Sequence, residues 1–417
     1  MEQMTEQQRV VVTGMGVVSS VGIGLDAFWG SLVAGKSGLG PVTAFDASAM
    51  KTRIAGEIKG LDMDPYLPPK EQRRLDKFCH YAIVAADEAV AMAGLKADGV
   101  NPERVACYVG SGVGGIQTLQ DQAQVLFQKG PNRNSPLMVP MMIIDMAAGF
   151  LSIRYGFKGP NMGIVTACAS GAHAIGESYW LLRRGDADAV VTGGTEACIT
   201  PLAMSGFSSM KALSERNDDP VRASRPFDRE RDGFVMSEGA GILVLETLAH
   251  ARKRGAPILA EIVGYGATGD AYHITAPDPE GGGAARAIRI ALQRAGVAPD
   301  AVDYINAHGT STPLNDKLET VAFKKALGEH ARRVAISSTK SMTGHALGAA
   351  GGLESVVCIQ TLRTAVIPPT INLDQPDPDC DLDYTPHTAR ERTVQYALNT
   401  NLGFGGHNSA LLFKKWD

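Results

Sequence analysis

The stretch Gly163-Ile-Val-Thr166-Ala-Cys168-Ala-Ser170-Gly171 decides how this chain is read. A short apolar run ending at Val165 breaks into a turn of small residues, and an Ala-rich segment of helical period follows from Ala172 to Arg184. The order is strand, turn, helix. It returns downstream, where the strand-like run Val334–Ser338 leads into Thr339-Lys-Ser341-Met-Thr343-Gly344 and then another Ala-rich helix. Both turns have the form T-x-[CS]-x-[ST]-G. A second echo keeps the same order: Val10-Val-Val-Thr-Gly-Met-Gly16 is answered by Ala260-Glu-Ile-Val-Gly-Tyr-Gly266. Two echoes in one order predict two related βαβ-rich halves, residues 1–255 and 256–417. They meet at the charged, helix-like segment Ala249–Gly255 with no Pro/Ser-rich linker, so they are expected to pack as one body.

Outward from these turns, strand-like runs at Arg9–Val12, Val105–Val109, Ala189–Thr192, Val302–Ala307, Tyr396–Thr400 and Ser409–Phe413 alternate with helical stretches at His80–Ala93, Ala284–Ala295 and Leu318–Leu327. That alternation predicts an α/β fold with mostly parallel, buried strands. The 417 residues carry a formal charge of −4 and are 44% hydrophobic, a globular composition with no field that points to nucleic acid. No apolar run is long enough for membrane insertion, and the polar start of Met1–Gly14 gives no sign of a leader. Six cysteines without a CxxC pair read as reduced thiols and predict a cytoplasmic protein. Gly110-Ser-Gly-Val-Gly-Gly115 fits G-x-G-x-x-G, but Gly130–Val139 lacks the acid that a dinucleotide site needs, so a turn lining a pocket is expected there. Neither a metal nor a cofactor is expected.

Cys168 sits where a strand ends and a helix begins. Backbone N–H groups at such a helix start are expected to stabilise a thiolate and then an oxyanion, and Ala167, Ala169 and Gly171 let a substrate approach. His308, in Asn306-Ala-His-Gly-Thr-Ser-Thr312, ends one strand, and His345, in Thr343-Gly-His345, is read as the start of the second half's helix. A thiol from one half and two imidazoles from the other suit acyl transfer followed by proton-linked chemistry. Lys340 follows a strand end, where it would orient a partner. Glu354 lies in a helix of small residues and is expected to be buried and paired. His250 and His330 read as structural, and the residues leave His273 undecided. The Gly-rich Asn401-Leu-Gly-Phe-Gly-Gly-His-Asn408 frees backbone N–H groups around one aromatic ring, Phe404.

Together these motifs resemble the β-ketoacyl-acyl carrier protein synthases, and within them the type II elongation branch. The resemblance runs from Arg9-Val-Val-Val-Thr-Gly14 to Leu412-Phe-Lys414. It is carried by Thr166–Gly171, by Ser224-Arg-Pro-Phe-Asp-Arg-Glu-Arg-Asp-Gly-Phe234, by Asn306-Ala-His-Gly-Thr-Ser-Thr-Pro313, by Lys340-Ser-Met-Thr-Gly-His345 and by Gly403-Phe-Gly-Gly406. The segment Asp379-Cys-Asp-Leu-Asp-Tyr-Thr-Pro-His387 favours the type II branch. The resemblance implies a thiolase fold and a homodimer. Its chemistry is acyl transfer to Cys168, then decarboxylation of malonyl-acyl carrier protein, then Claisen condensation. It makes Cys168 the acyl acceptor, His308 and His345 the decarboxylation pair, Lys340 their support, and the N–H groups of Cys168 and Phe404 the oxyanion hole. Thr310 and Thr312 would hold the pantetheine arm. Val113, Phe207 and His273 would bind substrate, with Leu137 and Met138 reaching the same pocket from the second subunit. Lys70, Arg74 and Lys211 would dock the acidic carrier. Where this chain has Leu402 the family usually has Phe, which implies looser or differently timed gating. A ketosynthase subunit of a type II polyketide system is the alternative.

Overall fold

The computed structural model describes residues 5–96 and 99–417. In chain order the long strands are β1 (Val10–Ser19), β2 (Val105–Gly110), β3 (Asn161–Ile164), β4 (Ala189–Glu196), β5 (Gly239–Thr247), β6 (Ala260–Gly269), β7 (Tyr304–Asn306), β8 (Ala335–Ser337), β9 (Tyr396–Gly403) and β10 (His407–Lys415). They join in the order β8-β7-β9-β10-β6-β1-β5-β4-β2-β3. Counted outward from the centre, each half repeats one pattern: β1-β5-β4-β2-β3 on one side, β6-β10-β9-β7-β8 on the other. The directions repeat too. In each half the first two pairings are antiparallel and the outer two parallel. At the seam β1 and β6 pair antiparallel through Val10–Val12 and Ala260–Ile262, the segments that echo each other in sequence.

This corrects the expectation of mostly parallel strands. Each half brings its last strand back beside its first, and that return runs antiparallel. The strands read as parallel because they are buried on both faces. Val10–Ser19, Ala189–Glu196 and Gly239–Thr247 are buried throughout, and burial of that kind gives continuous apolar runs in any direction.

The principal helices are α1 (Lys77–Ala93), α2 (Ser170–Arg183), α3 (Gly282–Ala295), α4 (Pro313–Leu327) and α5 (Ala350–Thr364). Helices α1 and α3 cover the outer faces through paired glycines. A Cβ at Gly14 or Gly16 would lie 2.0 Å from the Ala89 or Ala85 carbonyl oxygen of α1. At Gly264 or Gly266 it would lie 2.3 or 1.9 Å from the Ala291 or Ala287 oxygen of α3. Only glycine permits so close a helix–strand contact. Helices α2 and α5 fill the middle, each touching strands of both halves. Helix α5 is buried from Ala350 to Leu362, consistent with apolar and small residues all round it. Helices α1 to α4 all begin earlier than their periodicity suggests, α1 and α4 by the most, α1 because Asp76 caps it and α4 because Pro313 suits a first helical position.

Candidate active site

The turn after β3 is held tightly. The Ser170 hydroxyl accepts from the Thr166 N–H at 2.9 Å and donates to the Ala167 carbonyl at 2.6 Å. Ala167 takes a left-handed φ of 51°, an uncommon conformation for a side-chain-bearing residue. This elbow presents Cys168 just ahead of α2. Gly403, at the end of β9, lies against it, since a Cβ there would sit 2.4 Å from the Thr166 oxygen. The N–H groups of Cys168 and Phe404 are the backbone donors at the sulfur.

Helix-start amides were expected to favour a thiolate, and here burial outweighs them. It pushes the Cys168 thiol up to about 12, against the Lys340 ammonium and the two N–H groups, while the buried Glu196 carboxylate adds to the rise. The resting Cys168 side chain is a neutral thiol.

His308 and His345 face each other edge to face, ring centroids 5.2 Å apart. His308 follows β7, and its N–H donates to Glu319 at 2.7 Å. Glu319 also receives the Gly309 N–H and the Thr400 hydroxyl. Its own carboxyl is raised to about 7 by burial. His345 does not start the second half's helix, as its spacing suggests. Lys340–Thr343 makes a separate turn, Leu347–Ala349 another, and α5 begins only at Ala350. The extra chain lets His345 donate from its N–H to the Val235 oxygen at 2.8 Å and accept from the Ser237 N–H at 3.0 Å. Its ring packs on Phe234. Burial, then the Lys340 charge, hold both imidazoles well below the usual histidine range, so both are neutral near pH 7. Neither Nδ1 has a hydrogen-bond partner among the described residues. Lys340 is 1% exposed and ion-paired to Glu354, which also accepts from Asn401 at 2.6 Å.

Cys168, His308, His345, Thr310, Thr312, Phe207, Phe404 and Lys211 share one cavity of about 360 Å³. Leu402 lines it as well. Lys340 and Glu354 stand behind its wall. Val113 packs with Phe207 against the apolar cluster of Cys168 and Leu347 rather than on the cavity surface. His273 does not itself line the cavity: it is exposed, and its ring accepts from the N–H groups of Thr275 and Ala276, which do line it. Leu137 and Met138 lie away from the cavity, where the short helix Met138–Met142 begins. Lys70 and Arg74 are exposed, and Arg74 borders a separate cleft with Glu71 and Phe150. His250 bonds Glu246 and His330 the Val302 carbonyl, both structural as read.

The sequence reading missed Glu319, Glu196 and His173. His173 bonds the Thr166 hydroxyl at 2.7 Å, and burial, with His407 beside it, lowers its imidazole to about 4. Each of the three works on backbone or hydroxyl groups that are far apart in sequence or out of view, so no spacing marks them.

A thiol elbow facing two neutral imidazoles across a duplicated fold defines a condensing-enzyme architecture. The β-ketoacyl synthase N-terminal domain profile matches residues 7–251 and the C-terminal domain profile residues 259–374, and the chain belongs to this family. A protein from Synechocystis named 3-oxoacyl-[acyl-carrier-protein] synthase 2 is 53% identical over 411 residues, 99% of each chain. One of the same name from Staphylococcus aureus is 50% identical over 414 residues, 99% of this chain and 100% of its own. Among solved structures, a β-ketoacyl synthase from Burkholderia phymatum superposes with a TM-score of 0.91 at 34% identity, covering 98% of this chain and 100% of its own. A type II polyketide ketosynthase in complex with its acyl-carrier protein gives a TM-score of 0.91 at 35% identity, covering 98% and 99%. Among the described residues, no helix is long and apolar enough to cross a membrane.

Proposed function

We propose that the protein is a 3-oxoacyl-acyl carrier protein synthase that extends fatty acyl chains by two carbons in the cytoplasm, with Cys168, His308 and His345 carrying the chemistry. The observation that carries the reading is the pair of neutral imidazoles 5.2 Å apart in the cavity that also holds Cys168. The Cys168 sulfur attacks the acyl thioester, and its proton passes through an imidazole to the departing carrier thiol. The oxyanion forms against the N–H groups of Cys168 and Phe404. Malonyl carrier then enters. Neutral imidazoles without a carboxylate partner are suited to donate hydrogen bonds to its thioester oxygen as carbon dioxide leaves. The resulting enolate attacks the acyl-Cys168 carbonyl, the carbon–sulfur bond breaks, and the departing Cys168 thiolate takes up a proton from solvent, relayed by an imidazole, to restore the thiol. Lys340 helps keep the imidazoles neutral, and its ion pair with Glu354 holds that charge in place.

The partner is acyl carrier protein. The Thr310 and Thr312 hydroxyls, 3.0 Å apart, would take the pantetheine arm, with Lys211 at the cavity mouth and Lys70 and Arg74 further out meeting the acidic carrier. A homodimer fits the free edge of β3 and the exposed Met162 and Val165 on and beside it, and a second copy would bring Leu137 and Met138 to the acyl pocket. The division of the chain at residue 255 belongs to the same reading. The polyketide alternative rests on structures at 34–35% identity, whereas relatives at 48–53% carry the name 3-oxoacyl-[acyl-carrier-protein] synthase 2. The test is mass spectrometry of the purified protein with acyl carriers of several lengths and malonyl carrier. The expected products are acyl-Cys168 and a β-ketoacyl carrier two carbons longer. Absence of acyl-Cys168 with every chain length would overturn the reading.

A further inference from the structure

At the inner end of β4, Glu196 is wholly buried and makes no salt bridge with any described residue. Its carboxylate accepts four hydrogen bonds. Three come from the turn after β2: the Ser111 hydroxyl at 2.8 Å, the Gly112 N–H at 2.7 Å and the Val113 N–H at 3.2 Å. The fourth comes from the other half, the Gly348 N–H at 2.9 Å. Ser111 passes the constraint on by accepting from the Gly114 N–H at 3.2 Å. These are the amides that the G-x-G-x-x-G pattern would offer to a phosphate, and the chain's own carboxylate fills their nest.

The Gly348 peptide is gripped from both sides. A Cβ at Gly194 would lie 2.3 Å from the Gly348 oxygen, and one at Gly171 2.8 Å from it. A Cβ at Gly348 itself would meet the Gly112 nitrogen at 2.3 Å. Leu347, which lines the cavity close after His345, is held at a left-handed φ of 43°. On the near side, Val113 packs against the cluster containing both Leu347 and Cys168. One carboxylate thus fixes the Val113 turn and the Leu347 turn relative to each other, across the boundary between the halves.

We propose that Glu196 is a positioning residue that locks the Val113 turn, packed behind the cavity against the cluster of Cys168 and Leu347, to the turn beside His345, setting which acyl lengths load and whether the loaded chain meets the imidazoles in register. The proposal rests on the condensing reading above. Glu196→Gln keeps the volume but leaves one oxygen to serve donors that now face an amide NH₂. A displaced wall obstructs long chains and spares short ones.

The test compares wild type, Glu196→Gln and Ser111→Ala. It measures Cys168 loading by six- and twelve-carbon acyl carriers, and condensation rate against malonyl-carrier concentration. Glu196→Gln is expected to lower the twelve-to-six-carbon loading ratio about tenfold, the effect of a lost charge-assisted hydrogen bond. It should slow condensation on the order of 10²-fold at unchanged malonyl half-saturation. Ser111→Ala should move the ratio the same way by less. A uniform fall in all activities with the ratio unchanged would mean that Glu196 only supports the fold, and would overturn the proposal. If Glu196→Gln does not fold, the Ser111→Ala ratio decides alone, and an unchanged ratio overturns it. A wild type that loads no chain of either length would instead defeat the condensing reading.

Discussion

In the first half, the turn after β3 runs through Cys168 and enters α2 at once, at Ser170. In the second, the turn after β8 passes through the Lys340–Thr343 turn, His345 and Leu347–Ala349 before α5 begins at Ala350. Beneath these turns the frames agree, strand for strand and glycine for glycine. The short turn strains Ala167 and presents a thiol. The longer one has room to bury an ammonium against Glu354 and to pin an imidazole by its backbone. Chemistry in this duplicated fold is assigned by the length of a turn, on a frame that both halves keep.

That comparison can be broken most sharply at the short turn. Cys168→Ala should abolish acyl loading outright, because no other cysteine stands on such an elbow, and mass spectrometry after incubation with acyl carrier checks it. Acylation of another cysteine to full extent would remove the distinction between the turns. The longer turn and its neighbour come next. His308→Ala and His345→Ala should each slow condensation about 10²–10³-fold while sparing loading more, as single-turnover assays would resolve. Condensation at the wild-type rate in both would make the histidines structural. The shared frame predicts matched losses of stability. Gly16→Ala and Gly266→Ala, whose Cβ atoms would lie 2.0 and 1.9 Å from helix carbonyl oxygens, should each destabilise by about 1–3 kcal/mol or more in chemical denaturation. A loss in one half alone would show that the frames are not equivalent.

The smallest effect concerns pH. Burial raises Glu319 from 4.5 to about 7. A carboxyl whose pKa is raised on folding binds its proton more tightly in the native state. Its contribution is therefore full below 4.5 and is lost as pH rises through about 7. Glu319→Gln should flatten the stability profile across that window, and an unchanged slope would reject this assignment.

Much of the frame was legible because each half writes it in the same letters. Val10–Gly16 and Ala260–Gly266 proved to be the two strands that pair at the seam, and their Gly-x-Gly spacing places both glycines under one helix. Cys168 and His308 stood out because small residues surround each just past a strand end, and His345 because it closes the second of the two matching turns. Strand direction was not, since burial on both faces erases the period that would separate parallel from antiparallel. Glu319 was missed because an acid on a helix reads as a solvated face until its partners, the His308 and Gly309 amides, are brought over it. His273 was placed with the substrate by resemblance, and its ring holds the Thr275–Ala276 backbone that lines the cavity.

The neutral Cys168 thiol has a consequence beyond acyl transfer. Peroxide and soft electrophiles attack thiolates, and a sulfur whose pKa is held near 12 presents almost none at neutral pH. The nucleophile is therefore kept redox-quiet while the cavity waits. In the proposed reaction it becomes reactive when an acyl thioester arrives with a leaving group able to take up the proton. Burial that looks like a handicap to catalysis would thus also serve as chemical protection of the one sulfur that the proposed condensing reaction uses.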